Sequence, residues 1–204
     1  MSACQAILFD FDGVLLDSEP IHFECWMEAL NPLGIHADWS TYSKYCIGIP
    51  DRDAVEYLCR TNATPVNPDA AWQRYGRKTE LFRARMLAAP PFSEATIDFI
   101  KSLVAYKLAI VTASARCEIE PLLERGGIRE CFGAVVCRED VARNKPAPDA
   151  YLLAAQLLGV TSALVVEDSD AGVASGRAAG FDVLRVPNPA AVPRLVLNRL
   201  RNFD

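Results

Sequence analysis

Acidic residues stand directly after short apolar runs at two distant points of the chain. Asp10 and Asp12 follow the first apolar run, and Glu167 and Asp168 close a later one. Oxygen-only ligands suit Mg²⁺, and a carboxylate can act as a nucleophile through an aspartyl-phosphate. Carboxylates gathered at one point repel one another, so a divalent cation is their natural counter-charge. These residue types therefore predict a magnesium site that serves phosphoryl transfer.

Other residues complete the chemistry that such a site needs. Asp12 stands two residues after Asp10, so it is placed to protonate a leaving oxygen and then deprotonate an attacking water. Lys145, in the proline-rich stretch Asn144–Asp149, supplies a compact positive charge for a phosphate. Thr112 offers a hydroxyl and nearby backbone amides to phosphoryl oxygens, and Ser114 is close enough to share that role.

A sheet must bring these distant residues together. Short apolar runs predict parallel strands at Gln5–Phe9, Leu108–Thr112, Ala163–Glu167 and Asp182–Val186, with a weaker run at Gly133–Cys137. Segments with helical periodicity lie between them, at Glu118–Arg125 and Pro148–Leu158. This alternation predicts an α/β fold, a parallel sheet covered by helices. Because ligands of such sheets bind outside the carboxyl ends of the strands, the polar residues should converge at one edge.

A long segment after the first strand departs from this alternation. It shows helical patterns at Pro20–Leu33, Asp51–Arg60 and Asp69–Leu87 and no convincing strand. We expect an all-helical cap domain at residues 17–88, inserted into a catalytic core formed by residues 1–16 and 89–204.

Four motifs resemble those of the haloacid dehalogenase-like superfamily, in the right order and over nearly the whole chain. They are Asp10–Glu19, Val111-Thr112-Ala113, Lys145-Pro146 and Val165–Gly172. The helical insert is similar to the cap of the beta-phosphoglucomutase-like subgroup.

The resemblance implies a Rossmann-like core, Mg²⁺ and a phosphoaspartyl intermediate. It implies that Asp10 is the nucleophile and that Asp12 is the acid/base, which also binds metal through its backbone carbonyl. Asp168 becomes a metal ligand, and Glu167 acts beside it directly or through water. Thr112 and Lys145 carry over as catalytic groups that bind the phosphoryl oxygens.

Several residues are candidates for contact with the rest of the substrate. Ala113 and Ser114 follow Thr112, and His22, Arg52 and Lys78 lie in the predicted cap. A partly exposed helix histidine is an equally good interpretation of His22, and a solvated surface charge is a competing interpretation of Lys78. The mutase subgroup has a basic residue where this chain has Asp51, a departure that counts against mutase specificity.

Composition narrows the classes of partner. The net charge of −5 gives no electrostatic reason to expect nucleic acid. The seven cysteines show no Cys-x-x-Cys pair, as expected of buried thiols in a reducing cytoplasm. No apolar run approaches the ~20 residues of a membrane-spanning helix. We expect a cytoplasmic protein that acts on a small phosphorylated metabolite, with a monomer as the default state.

These residues bear on four candidate functions. A phosphatase acting on a small metabolite of the sugar-phosphate type fits best, and a sugar-phosphate mutase with the same aspartates is the alternative. A dehalogenase has no need of Asp12, Glu167 and Asp168 as a metal and acid/base site. A catalytically idle binding protein should show an eroded acidic cluster, and the cluster is intact.

Overall fold

The computed structural model describes residues 4–88 and 92–201. Within them the chain forms five strands: β1 (Ala6–Phe9), β2 (Lys107–Val111), β3 (Ala134–Val136), β4 (Ala163–Glu167) and β5 (Asp182–Arg185). The same residues form ten α-helices: α1 (Glu19–Leu30), α2 (Trp39–Tyr45), α3 (Asp51–Thr61), α4 (Pro68–Trp72), α5 (Tyr75–Ala88), α6 (Glu94–Ser102), α7 (Arg116–Arg125), α8 (Asp149–Leu158), α9 (Asp170–Ala178) and α10 (Val192–Leu200).

The strands form one parallel sheet in the order β3-β2-β1-β4-β5. The central strand β1 pairs with β2 on one side and β4 on the other, so that Phe9 lies between Ile110 and Val166. Because the three central strands run in the same direction, the residues that follow them meet at one edge. The predicted α/β fold with a Rossmann-like parallel sheet is confirmed.

Helices cover both faces of this sheet. Tyr151 and Ala154 of α8 belong to the buried cluster that includes Leu8 and Val165 of the sheet. On α6, the ring of Phe99 meets that of Phe9 edge-on, with centroids 6.2 Å apart. The sequences of the strands β1 and β4 are nearly continuous apolar runs, because both faces of these strands are buried.

In its described residues, the segment inserted after β1 forms helices and connecting loops, from α1 to α5, with a 3₁₀ turn at Asn31–Leu33. Its own core is built around Trp26, Leu30 and Tyr42. The sequence predicts one helix over Asp69–Leu87, and the structure divides it into α4 and α5. The break lets the ring of Trp72 stack on Tyr75, with centroids 4.7 Å apart, while both rings pack near Trp26.

Residue contacts divide the chain into two compact units, Met1–Asp17 with Pro90–Asp204 and Ser18–Ala89. We call them the core unit and the inserted unit. The second predicted boundary, between residues 88 and 89, touches residues 89–91, which lie outside the described part of the chain. Among the helices of residues 4–88 and 92–201, none has both the length and the apolar character that crossing a membrane requires.

Candidate active site

Asp10 is the first residue after β1 and lies at the centre of the carboxyl edge of the sheet. Its backbone N–H donates to the carbonyl oxygen of Val166, 3.0 Å away, which ties it to β4. Gly13 then turns the chain with φ of +73°, a left-handed conformation that favours glycine. A Cβ at Gly13 would lie 2.1 Å from an oxygen of Asp168, so the glycine allows the two loops to approach.

Lys145 binds the side chain of Asp10 directly. Its Nζ donates to Oδ1 of Asp10 at 2.8 Å, to the carbonyl of Val111 at 2.9 Å and to Oε1 of Glu167 at 2.5 Å. Burial by itself would lower the pKa of Lys145, but the charges of Asp10 and Glu167 outweigh it and raise that pKa. Lys145 is therefore a fixed cation beside the predicted nucleophile.

The loop that carries Lys145 is held by neighbouring elements. The backbone N–H of Ala147 donates to Asn144, and the hydroxyl of Ser175 on α9 donates to the carbonyl of Ala147 at 2.6 Å. Arg143 pairs with Asp149 at the start of α8 through two hydrogen bonds. These contacts restrict the lysine before any ligand arrives.

Glu167 is fully buried at the end of β4. Its Oε1 also accepts the hydroxyl of Tyr151 at 2.7 Å. Its Oε2 accepts from the backbone N–H groups of Asp168 and Ser169 and from the Ser169 hydroxyl. Gly172 makes room for the carboxylate, because a Cβ there would lie 1.8 Å from Oε1.

The residues that follow β2 reach the second aspartate. Ser114 donates its hydroxyl to Oδ2 of Asp12 at 2.7 Å, and its backbone N–H donates to the hydroxyl oxygen of Thr112 at 3.0 Å. Ala113 lies between them and is exposed. Thr112 is the first residue after β2, one position beyond the strand's last residue, and it is buried. The structure thus places Ser114 against the predicted acid/base.

Carboxylate oxygens of Asp10, Glu167 and Asp168 lie within 4.8 Å of one another. Burial, followed by the charge of Glu167, raises the pKa of Asp10 well above its usual range, while Lys145 opposes the shift. The same two causes raise the pKa of Asp168 to about 6. An oxygen-only donor set whose ionisation is opposed by burial and like charge fits a hard divalent cation such as Mg²⁺.

Two of the three predicted cap residues lie in one cluster of the inserted unit. Lys78 is only 1% exposed, and its Nζ lies 3.5 Å from a carboxylate oxygen of Asp51. Asp51 also accepts the indole N–H of Trp26 at 3.1 Å. The ring of His22 stacks on that of Phe82 at 4.0 Å, and the Lys78 ammonium lies 5.3 Å from the Phe82 ring.

Arg52, the third predicted cap residue, makes different contacts. Its guanidinium pairs with Glu56 and Asp69 and lies over the ring of Trp72, 5.5 Å from its centroid. The surface-charge interpretation of Lys78 is wrong, because its side chain is buried.

Sequence reasoning missed two polar residues of these clusters. Tyr151 lies within the predicted helix Pro148–Leu158. A buried tyrosine hydroxyl usually needs a hydrogen-bond partner, and that rule could have flagged the residue. Asp51 was noted only as a departure from a basic residue. No sequence signal pairs Asp51 with Lys78, since 27 positions separate them.

Comparisons with known proteins agree with this geometry. Residues 7–186 match the haloacid dehalogenase-like hydrolase family. The chain is 35% identical over 184 residues to fructose-1-phosphate phosphatase YqaB of Escherichia coli, covering 88% of this chain and 95% of that protein. It is 30% identical over 212 residues to beta-phosphoglucomutase of Mycobacterium tuberculosis, covering 88% of this chain and 79% of that one.

A solved structure extends the likeness to the fold. The crystal structure of CbbY from Rhodobacter sphaeroides in complex with phosphate superposes with a TM-score of 0.78 at 27% identity, covering 91% of this chain and 87% of that one. A parallel sheet with a carboxylate–lysine centre at its carboxyl edge defines an α/β enzyme. The chain belongs to the haloacid dehalogenase-like hydrolase family. The predicted superfamily, its beta-phosphoglucomutase-like subgroup and the hydrolase class are confirmed.

Proposed function

We propose that this chain is a Mg²⁺-dependent phosphatase that hydrolyses a small sugar phosphate through a phosphoaspartyl intermediate on Asp10. One observation carries the proposal: the Lys145 ammonium lies 2.8 Å from Asp10 within a cluster of three carboxylates. A fixed cation and a cation-binding carboxylate set beside a nucleophile are what phosphoryl transfer requires, since its catalysis rests on positioning and charge neutralisation.

The proposed steps assign each residue an action. A carboxylate oxygen of Asp10 bonds to phosphorus while the bond from phosphorus to the sugar oxygen breaks, and Asp12 donates a proton to that oxygen. A water molecule then attacks the phosphoaspartate, Asp12 takes its proton, and Asp10 and phosphate are released. Ser114 orients Asp12 through the hydrogen bond at 2.7 Å. Lys145 and Thr112 bind the phosphoryl oxygens.

Asp10, the backbone carbonyl of Asp12 and Asp168 would hold Mg²⁺, with Glu167 acting directly or through water. The cation supplies charge neutralisation to the phosphoryl oxygens. The carboxylate separations and the raised pKa of Asp168, to about 6, support this assignment.

The relatives support a sugar phosphate as the substrate class, because the Escherichia coli relative is named as a fructose-1-phosphate phosphatase. A second relative, from Thermotoga maritima, is named as a phosphorylated carbohydrates phosphatase and is 28% identical over 180 residues. We keep Ala113, Ser114, His22, Arg52 and Lys78 as proposed substrate-binding residues.

A sugar-phosphate mutase is the second candidate, because the beta-phosphoglucomutase of Mycobacterium tuberculosis is also a relative. The departure at Asp51 supports the phosphatase. Where the mutase subgroup has a basic residue, this chain has a carboxylate that lies 3.5 Å from the buried Lys78 ammonium.

The proposal extends to the setting in which the enzyme acts. All seven cysteines are free, which is typical of a reducing compartment, so we place the enzyme in the cytoplasm. We propose a monomer, which size-exclusion chromatography with light scattering would test.

A substrate screen tests the function. The purified protein is incubated with Mg²⁺ and a panel of small phosphometabolites that includes fructose 1-phosphate and hexose 6-phosphates, and released phosphate is measured. We expect turnover of sugar monophosphates that EDTA abolishes. Absence of release from every compound would refute the phosphatase. Interconversion of sugar 1-phosphates and 6-phosphates with little free phosphate would establish the mutase instead.

A further inference from the structure

Tyr151 is a buried polar residue that has no role in the proposed catalytic steps. It belongs to α8, its side chain has an exposure of 0%, and its hydroxyl lies 2.7 Å from Oε1 of Glu167. We propose that Tyr151 is a positioning residue of the active site, whose hydroxyl fixes Glu167 and thereby aims Lys145 at Asp10. This inference rests on the proposed function.

Both carboxylate oxygens of Glu167 accept hydrogen bonds from more than one donor. Oε1 accepts from Tyr151 and Lys145, and Oε2 accepts from two backbone N–H groups and the Ser169 hydroxyl. An ionised carboxylate offers about four lone-pair sites, and these donors hold both of its oxygens. The terminal torsion of a glutamate is otherwise broad. The five donors therefore select one orientation of the group.

The Lys145 ammonium depends on Glu167 for one of its acceptors. Its ammonium has about three N–H donors, and the structure gives it three acceptors, on Asp10, Val111 and Glu167. One of these acceptors is a backbone carbonyl of β2, on Val111. The other two are side-chain oxygens of Asp10 and Glu167, and Tyr151 is a second donor to the Glu167 oxygen.

The hydroxyl and the ring of Tyr151 make separate contacts. The Lys145 ammonium lies 5.1 Å from the centroid of the Tyr151 ring, so the ring itself also faces the cation. A phenylalanine would keep that contact and the packing on the sheet, and it would remove only the O–H group. Tyr151→Phe therefore tests the hydrogen bond alone.

The experiment compares Tyr151→Phe with a matched control. Tyr106 precedes β2, at the opposite edge of the sheet from Asp10, so Tyr106→Phe removes the same group far from the site. Mn²⁺ affinity is measured by electron paramagnetic resonance without substrate, and kcat and KM are measured for phosphate release. Removing a partner that orients a ligand typically costs about 10–100-fold in metal affinity or activity.

We expect Tyr151→Phe to weaken Mn²⁺ binding about tenfold and to lower kcat about 10–100-fold, with unchanged circular dichroism. Tyr106→Phe should match the wild type in both. Wild-type Mn²⁺ affinity together with wild-type kcat in Tyr151→Phe would overturn the proposal. If Tyr151 served only in packing, Tyr151→Phe would lower the melting temperature and leave the metal affinity of the folded protein unchanged. That result would also contradict the proposal.

A double-mutant cycle identifies the route of the effect. If Tyr151 acts through Glu167, then Tyr151→Phe should add little to Glu167→Gln, and the two losses should be strongly non-additive. Additive losses would overturn the route through Glu167. The Mn²⁺ arm needs no substrate. Should the wild type release no phosphate from any compound, the proposed function would fail while the Mn²⁺ comparison still decides the role of Tyr151.

Discussion

The side chain of Asp10 shows how burial and charge act together at the scale of single residues. Burial and the neighbouring carboxylates raise its pKa, which works against the ionised form that a nucleophile needs. Lys145 opposes that effect through a direct contact at 2.8 Å. Asp10 depends on a neighbouring cation to remain ionised. We therefore expect catalysis to be lost when its carboxylate is replaced by an uncharged group.

Asp10→Asn keeps the shape of the side chain and removes its nucleophilic oxygen. Its amide oxygen can still accept a hydrogen bond from Lys145, and Glu167 remains as the second acidic partner. We expect phosphate release to fall by about 10⁴-fold or more, while circular dichroism and the melting temperature do not fall.

The exposed Asp98→Asn is the matched control, an identical change on α6, and it should retain full activity. Mass spectrometry must exclude deamidation of the introduced asparagine. Activity within tenfold of the wild type in intact Asp10→Asn protein would contradict the nucleophile assignment.

Residue types and spacing were enough to propose Asp10, Asp12 and Thr112, which follow strand ends, and Lys145, which lies in the proline-rich loop before α8. Tyr151 could not be selected in this way. Its hydroxyl meets Glu167 across 16 positions, and the helical pattern explained the residue equally well as core. Short motifs contain the proposed catalytic residues, whereas the residues that orient them lie in other elements of the fold.

At the scale of elements, close packing between α9 and the end of β4 shapes the carboxylate cluster. Gly172 lies in the first turn of α9, and its backbone N–H donates to Ser169, the N-cap residue of that helix. A Cβ at this position would meet three atoms of the Glu167 carboxyl group at 1.8–2.1 Å. Because Gly172 has no side chain, the Glu167 carboxylate can occupy its position against the first turn of α9.

Gly172→Ala should therefore displace Glu167 and disturb both Lys145 and Asp168. We expect a loss of stability of about 1–3 kcal/mol from overpacking and a fall in activity of about 10–100-fold. Urea unfolding and phosphate release measure the two effects.

Gly76→Ala is the same substitution in α5, where an added Cβ meets nothing within 4 Å. There alanine should stabilise the protein by up to ~1 kcal/mol, because it is the better helix former, and activity should be retained. Equal effects of the two substitutions would contradict the packing argument.

The five strands and the helices α1, α3, α7 and α8 were predictable, because buried parallel strands and amphipathic helices have distinct periods, whereas α2, α6, α9 and α10 were not predicted. The errors lie where tertiary contacts decide. β2 ends at Val111, one residue before the predicted end, and the helix predicted over Asp69–Leu87 is broken so that Trp72 can stack on Tyr75. The local hydrophobic pattern of the sequence does not specify where a strand's hydrogen bonds end or which rings come into contact.

At the scale of the whole molecule, the charges that define the site are concentrated in one of the two units. Asp10, Asp12, Glu167, Asp168 and Lys145 all belong to the core unit, although they come from three separate segments of its sequence. The Asp51–Lys78 pair belongs to the inserted unit. A ligand that binds only the carboxylate cluster should therefore act on the stability of the core unit.

Mg²⁺ should raise the melting temperature of the protein for this reason. A ligand at ten times its dissociation constant stabilises the folded state by about 1.4 kcal/mol, which corresponds to about 3–6 °C for a chain of this size. Differential scanning calorimetry with Mg²⁺, with EDTA, and with NaCl at equal ionic strength measures the shift. If the units melt separately, only the transition of the core unit should move.

Asp168→Asn is the decisive comparison for that shift. It removes a carboxylate whose pKa burial and Glu167 raise to about 6, so the variant should lose most of its response to Mg²⁺ without being less stable in EDTA. Asp182→Asn, on β5 of the same unit, should respond to Mg²⁺ like the wild type. An undiminished shift in Asp168→Asn would mean that Mg²⁺ stabilises the protein from elsewhere, and the carboxylate cluster would then lose its assignment as the metal site.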